Sequence, residues 1–97
     1  MIEKTVENKI KKYLFSKGIY YFKVHGSKFM VKGIPDIVCC YNGKFLGIEV
    51  KKPGHKFGQT EEQKIHENNI KKSGGVYLLV DDVNEVINYI ESEENHE

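Results

Sequence analysis

The sequence predicts an α/β fold in which helices flank a central mixed four-stranded sheet, in the order α-β-β-β-α-β-α. Three observations lead to this prediction: apolar residues at helical spacing near both ends of the chain, an Asn-Gly turn between two β-prone runs, and a short apolar run after a second helix signal. Ninety-seven residues are enough for one domain with a modest core. We therefore assign residues 1–92 to a single domain and residues 93–97 to an acidic, disordered tail.

The first part of the chain predicts a helix, a strand and a loop. Apolar side chains recur at helical spacing over about residues 2–17, and Gly18 suits the left-handed position that ends a helix. Residues 19–24 are mostly β-branched or aromatic, which favours a strand. Residues 25–33 carry glycines near both ends and predict a loop before the next strand.

The central hairpin is the strongest local signal in the chain. Asn42 and Gly43 separate two apolar, β-prone runs, and this dipeptide favours a type I′ turn, which needs positive φ at both central residues. With these two residues as the loop, Tyr41 faces Lys44, and the numbers of all facing residues sum to 85. The turn alone therefore fixes the register of the two strands.

This register brings two carboxylates together. Asp36 falls opposite Glu49, and Lys51 points to the same face of the strand as Glu49. Directly opposed like charges destabilise a sheet. A divalent cation bridging the carboxylates, with an ammonium beside it, resolves the conflict. The competing interpretation is a pair of surface carboxylates neutralised by Lys51, and we favour the metal site.

The second part of the chain predicts two further helices with a strand between them. Thr60 and Gln63 form a capping box that opens a helix ending near Lys72. Residues 76–80 are wholly apolar, as in a strand covered on both faces. Asp81 or Asp82 then caps the last helix.

Charge is divided unevenly along the chain. Residues 1–56 hold twelve lysines and four acids, a balance of +8, whereas residues 57–97 hold three lysines and ten acids, a balance of −7. Such asymmetry indicates a nucleic-acid surface. There is no arginine, so bidentate reading of guanine by arginine is excluded, and lysine contacts to phosphates are favoured. The candidate DNA-binding residues are Lys28, Lys32, Lys52 and Lys56.

Cysteine usage and hydropathy predict a soluble, cytoplasmic protein. Cys39 and Cys40 are adjacent on a predicted strand and point to opposite faces, so they cannot form an ordinary disulfide. Two reduced thiols suit an intracellular compartment. No apolar run reaches the length needed to span a membrane.

Several motifs match a known group of nucleases. Pro35-Asp36, twelve residues, and Glu49-Val50-Lys51 fit the pattern PD-(D/E)XK. With the order of elements, the chain resembles the PD-(D/E)XK (restriction endonuclease-like) superfamily, and within it the virus-type replication-repair nuclease (VRR-NUC) domain of the stand-alone phage or bacterial type. The features that carry this resemblance are Glu7 in the first helix, Gly33-x-Pro35-Asp36, Ile48-Glu49-Val50-Lys51, Gln63 at a helix start, and Gly74-Gly75 before an apolar strand.

The predicted chemistry is metal-assisted hydrolysis of a phosphodiester. Hard oxygen ligands select Mg²⁺, with Mn²⁺ able to substitute, and Asp36, Glu49 and the backbone carbonyl of Val50 would supply them. Lys51 would orient or help deprotonate the attacking water. The resemblance implies that Glu7 joins the metal site, through water, and that Gln63 helps to position Lys51 or the phosphate. Alternatively, Glu7 is a plain surface glutamate and Gln63 only a helix cap.

The expected function is Mg²⁺-dependent endonucleolytic cleavage of DNA. The resemblance implies a Holliday-junction resolvase-like homodimer acting on branched DNA. Aromatic side chains outnumber the inward positions of a four-stranded sheet, so we also expect an exposed patch near the first strand that serves dimerisation. Two alternatives stay open: a monomeric flap, nick or end nuclease that relies on a partner, and a DNA-binding module without catalytic activity.

Overall fold

The chain folds in the predicted order of elements. The computed structural model describes residues 2–26 and 31–95. Its helices and strands are α1 (Ile2–Ser16), β1 (Tyr20–Lys23), β2 (Ile37–Tyr41), β3 (Lys44–Val50), α2 (Glu61–Lys72), β4 (Val76–Val80) and α3 (Val83–Glu94). A short 3₁₀ helix, Lys56–Gly58, lies between β3 and α2 and was not predicted.

The four strands form one mixed sheet, as predicted, and their order in the sheet is β1-β2-β3-β4. The first three are antiparallel, and β4 runs parallel to β3 at the edge. Helices α1 and α3 pack against each other, and β4 also contacts α2. The buried core joins the apolar side of α1 and α3 to one face of the sheet, and its members are Val6, Ile10, Leu14, Ile37, Cys39, Leu46, Ile48, Val50, Val80, Val86 and Ile90.

The register predicted for the hairpin is confirmed. Asn42 and Gly43 have φ angles of 53° and 76°, as a type I′ turn requires. The paired residues run from Tyr41–Lys44 to Ile37–Ile48, which all sum to 85. Because β2 begins at Ile37, the ladder stops one pair short of Asp36 and Glu49.

The helix ends follow the predicted signals. Gly18 has a φ of 71° after α1, and both hydrogen bonds of the capping box between Thr60 and Gln63 are present. Asp82 caps α3 by accepting from the backbone N–H of Asn84 at 2.7 Å. Helix α3 continues to Glu94, two residues past the predicted domain boundary at residue 92.

One half of the sheet carries exposed aromatic side chains. Tyr20 and Phe22 alternate on β1 with residues that face inward. Cys40 on β2 pairs with Tyr20 on one side and with Phe45 of β3 on the other, so Phe45 lies on the same face of the sheet as Tyr20. Tyr20 is 71% exposed, Phe22 49% and Phe45 45%. These three residues, called the aromatic patch below, lie on the face of the sheet away from α1 and α3. The other aromatic residue expected there, Phe29, lies outside the described residues.

Two further predictions concern thiols and membranes. Cys39 is buried and Cys40 exposed, and both are free. Burial, followed by the neighbouring Cys40, raises the pKa of the Cys39 thiol to about 12. In the part of the chain that the structure describes, no helix is long and apolar enough to cross a membrane.

Candidate active site

The segment before β2 is fixed by two close approaches to glycine. Gly33 has a φ of 89°, and a Cβ there would lie 2.5 Å from the carbonyl carbon of Glu62 in the first turn of α2. Pro35 sits on Gly47, where a Cβ would lie 2.8 Å from the proline Cγ. The segment is therefore held between α2 and β3, and this contact sets the position of Asp36.

Asp36 extends the hairpin through its side chain rather than its backbone. Its Oδ2 accepts a hydrogen bond of 2.8 Å from the backbone N–H of Val50. The N–H and C=O groups of one strand residue point to the same side of the strand. The Val50 carbonyl therefore also faces the side of β3 where Asp36 lies, which brings together two of the three predicted metal ligands.

Glu49 is a buried carboxylate that is only partly satisfied. The residue is 4% exposed, and its Oε2 accepts from Nε2 of Gln63 at 2.9 Å. Its Oε1 is buried and has no hydrogen-bond partner among the described residues. Burial first, and then the negative charge of Asp36, raise the pKa of Glu49 to about 8, although Lys51 opposes the shift.

Lys51 and Gln63 form a connected pair beside Glu49. The Lys51 Nζ donates to Oε1 of Gln63 at 2.9 Å and to the carbonyl of Gly58 at 3.3 Å, and it lies 3.8 Å from Oε2 of Glu49. Oε1 of Gln63 also accepts from the backbone N–H of Thr60 at 2.9 Å. Gln63 therefore caps α2 and contacts both charged residues at once, so the two interpretations of this residue are compatible.

Glu7 reaches the site through a lysine. The Lys23 Nζ donates to Oε1 of Glu7 at 3.0 Å and lies 3.9 Å from Oδ1 of Asp36. Lys11 pairs with the other oxygen of Glu7 at 3.5 Å. Partial burial would raise the pKa of Glu7, but the contacts with Lys23 and Lys11 hold it below its ordinary value. Glu7 thus contacts Lys23, which lies between it and Asp36.

Lys23 was not predicted as part of the site and was counted only among the lysines of the basic half, which favour a phosphate-binding surface. Its place follows from the pairing of β1 with β2, in which the N–H of Val24 donates to the carbonyl of Asp36 at 2.8 Å. Only the register of β1 against β2 would have revealed that Lys23 lies beside Asp36. The loop over residues 25–35 carries no turn motif that fixes how β1 aligns with β2.

The oxygen atoms at this edge fit a hard divalent cation. Asp36, Glu49 and the carbonyl of Val50 supply oxygens of the kind that Mg²⁺ prefers, and Mg²⁺ commonly binds through one or two carboxylates while keeping several waters. The unpartnered Oε1 of Glu49 is a buried acceptor that a cation would satisfy. Within residues 2–26 and 31–95 there is no group of three or more His, Cys, Asp or Glu that could hold a metal ion. The described residues thus offer such a cation two carboxylates and, in the Val50 carbonyl, one backbone oxygen.

The predicted DNA-binding lysines have different surroundings. Lys32 and Lys52 are exposed, and Lys32 lines a cavity of about 260 Å³ that also borders Asp36. Lys56 is in an ion pair with Glu85 on α3. Lys28 lies outside the described residues.

A solved structure has the same fold as this chain. A chain titled "VRR_NUC domain protein" superposes with a TM-score of 0.73 at 23% sequence identity, covering 94% of this chain and 86% of that chain. The resemblance to the VRR-NUC nuclease fold is thereby confirmed. In sequence, the family described as archaeal Holliday junction resolvase (Hjc) matches residues 2–93, and the chain belongs to that family. The protein is therefore an endonuclease. A comparison with curated proteins gave no match.

Proposed function

We propose that the protein is a Mg²⁺-dependent endonuclease that cleaves branched DNA as a homodimer. The observation that carries the metal dependence is the buried, unpartnered Oε1 of Glu49 beside Asp36. A carboxylate buried next to another carboxylate is costly unless a cation compensates both charges. Membership of the archaeal Holliday junction resolvase family supports branched DNA as the substrate.

Each side chain of the site has a separate task in this proposal. When bound, the divalent cation lowers the pKa of a water molecule and offsets the charge that develops on the phosphate. Asp36, Glu49 and the Val50 carbonyl would hold the cation. Lys51 orients the attacking water. The side-chain amide of Gln63 hydrogen-bonds to both Lys51 and Glu49 and so holds them next to each other.

Lys23 and Glu7 act one step away from the cation. Lys23 lies between Glu7 and Asp36 and balances part of their negative charge. In the sequence-based proposal, Glu7 reaches the metal through water. The geometry supports a role for Glu7 that acts through Lys23, which it holds at 3.0 Å.

A direct assay tests the proposed activity. Purified protein is incubated with a four-way junction, a flap, single-stranded DNA and linear duplex, each with Mg²⁺, Mn²⁺ or EDTA. We expect cleavage of the junction with Mg²⁺ and Mn²⁺ and none with EDTA. Equal cleavage in EDTA would contradict metal dependence. Cleavage of flaps or ends without cleavage of the junction would favour the alternative of a monomeric nuclease that relies on a partner.

The aromatic patch predicts how the dimer forms. Junction resolution needs two incisions, one site lies in each chain, and a two-fold axis is the commonest way to duplicate a site. Exposed Tyr20, Phe22 and Phe45 would be buried at that axis. We expect a dimer in sedimentation equilibrium at micromolar concentration and a monomer for Phe22→Lys. Phe15→Lys is the control, because Phe15 is 78% exposed on α1 and lies away from the patch.

The basic half of the chain predicts salt-dependent binding with little dependence on sequence. DNA affinity should fall steeply as salt rises, because each phosphate contact releases counterions. Lys32→Ala should reduce the slope of log affinity against log salt by about 0.9, the value of one phosphate contact. Lys64→Ala should leave the slope unchanged, because Lys64 lies in the acidic half and pairs with Glu61. A slope near zero for the parent protein would exclude a phosphate-binding surface.

A further inference from the structure

The loop between β3 and α2 presents a fully exposed phenylalanine close to Lys51. Phe57 is 101% exposed and lies in the 3₁₀ helix Lys56–Gly58, which contains no buried residue. The next residue, Gly58, accepts a hydrogen bond of 3.3 Å from the Lys51 ammonium through its carbonyl. The Phe57 Cα is one peptide unit away from the Cα of Gly58. The sum of this step, the distance from the Gly58 Cα to its carbonyl oxygen, and the hydrogen bond places the Phe57 Cα no more than about 10 Å from the ammonium nitrogen.

Polar contacts on the N-terminal side of Phe57 tie this loop to the start of α3. The backbone N–H of Gly54 donates to Oδ2 of Asp81 at 2.9 Å, and Lys56 forms an ion pair with Glu85. Single exposed apolar side chains are common on protein surfaces and need no explanation by themselves. Phe57 differs because ion-pair and hydrogen-bond contacts hold its loop in one position, at the edge of the site, without burying the ring.

We propose that Phe57 stacks on the free face of a base near the phosphate that is cleaved, and so recognises the branch in the DNA. The inference rests on the proposed function, since it assigns a role beside the same site. An aromatic ring stacks on any base, because every base offers a π face. Inside a duplex both faces of a base are covered by its neighbours. A base with a free face occurs where strands branch, fray or end.

The location of Phe57 sets which nucleotide it contacts. A strand advances about 3.4 Å per nucleotide along a duplex, so a separation of about 10 Å corresponds to about three nucleotides from the scissile bond. We assign contact with the phosphates between them to Lys52, which is exposed at the start of the same loop. Because the chain has no arginine, stacking gives selectivity for DNA shape without reading the sequence.

The first experiment measures binding in EDTA, so that it does not depend on cleavage. A fluorescent four-way junction is titrated with the parent protein, Phe57→Leu and Phe57→Trp, and binding is followed by anisotropy. Leucine keeps an apolar side chain but has no ring, whereas tryptophan keeps the ring. We expect Phe57→Leu to lose roughly fivefold to a hundredfold in affinity for the junction and Phe57→Trp to bind as the parent does. The control is Phe15→Leu, which changes another exposed phenylalanine, on α1.

The second experiment asks whether the lost contact is with a base. An abasic nucleotide is placed in turn at each position within three nucleotides of the branch. At one of these positions the parent protein should lose as much affinity as Phe57→Leu loses on the intact junction. The two changes together should cost no more than either alone, because they remove the same contact.

The outcomes separate this inference from the proposed function. Additive losses, or equal binding by Phe57→Leu and the parent, would overturn the stacking role. A shift to monomer in Phe57→Leu, with no coupling to the abasic position, would also overturn it and assign Phe57 to contact with a second copy. If the parent protein cleaves none of the DNA substrates in Mg²⁺, the proposed function fails, while the binding experiments still decide whether Phe57 stacks.

Discussion

Replacing Glu49 with glutamine is expected to abolish DNA cleavage and, without metal, to make the protein more stable at pH 8. The cleavage rate should fall by roughly a hundredfold or more, because the variant loses a charged ligand at the site where charge develops in the transition state. The gain in stability has a separate cause. Glutamine is neutral, so the buried like charge beside Asp36 is removed.

The pH dependence of stability gives this prediction its sign. The pKa of Glu49 is about 8 in the folded protein, against 4.5 for an unperturbed glutamate. Between these values the unfolded chain loses a proton that the folded protein keeps, so the stability of the parent falls as pH rises through this window. Below pH 4.5 both states are protonated, and parent and variant should unfold alike. At pH 8 the variant should be more stable by an amount on the order of a few kcal/mol.

Thermal unfolding between pH 4 and pH 9, with and without Mg²⁺, measures both effects. Mg²⁺ should raise the Tm of the parent at pH 8, since a ligand of the folded state stabilises it, and should have much less effect on Glu49→Gln. Glu67→Gln is a control of opposite sign. Lys71 and then Gln59 lower the pKa of Glu67, so its loss should reduce stability at neutral pH. If Glu49→Gln or Asp36→Asn cleaves DNA at the parent rate, the assignment of the site is wrong.

The hairpin could be predicted from sequence because its register depends on local turn chemistry. Asn42 and Gly43 adopt positive φ, and every strand pair that follows has the predicted partner. Asp36 and Glu49 were placed together by the same rule. However, the backbone ladder ends at Ile37, and the Asp36 carboxylate accepts the N–H of Val50 in place of a further strand pair. The sequence pattern does not distinguish a strand residue from a side chain that continues the ladder.

Contacts between distant segments could not be predicted in the same way. Lys23 lies between Glu7 and Asp36 only because β1 pairs with β2 in one register, and the loop between them gives no turn signal. The turn of 3₁₀ helix at Phe57 depends on Asp81 and Glu85, which lie more than twenty residues further along the chain. Gly33 was identified as part of a motif. The reason why a glycine is required there is the close approach of the α2 backbone, which is visible only in three dimensions.

Gly33→Ala is expected to cost both stability and cleavage, because two separate obstacles oppose a side chain there. The φ of 89° disfavours any residue with a Cβ, and that Cβ would lie 2.5 Å from the carbonyl carbon of Glu62 and 2.8 Å from the backbone nitrogen of Gln63. Backbone atoms in a capped helix cannot move aside as a flexible side chain does. The loop must therefore separate from α2, which displaces Asp36 from Gln63 and Lys51.

Gly18→Ala isolates the first obstacle from the second. Gly18 has a φ of 71°, but nothing lies within 4 Å of a Cβ built there. Its replacement should cost about 1–2 kcal/mol from the left-handed backbone alone and leave cleavage per folded molecule unchanged. Gly33→Ala should lower the Tm several degrees further, and its single-turnover cleavage rate should fall by about a hundredfold, since a shift of about 1 Å in a catalytic group has that effect. Equal losses of stability in the two variants, with normal cleavage by Gly33→Ala, would show that contact between this loop and α2 does not position the site.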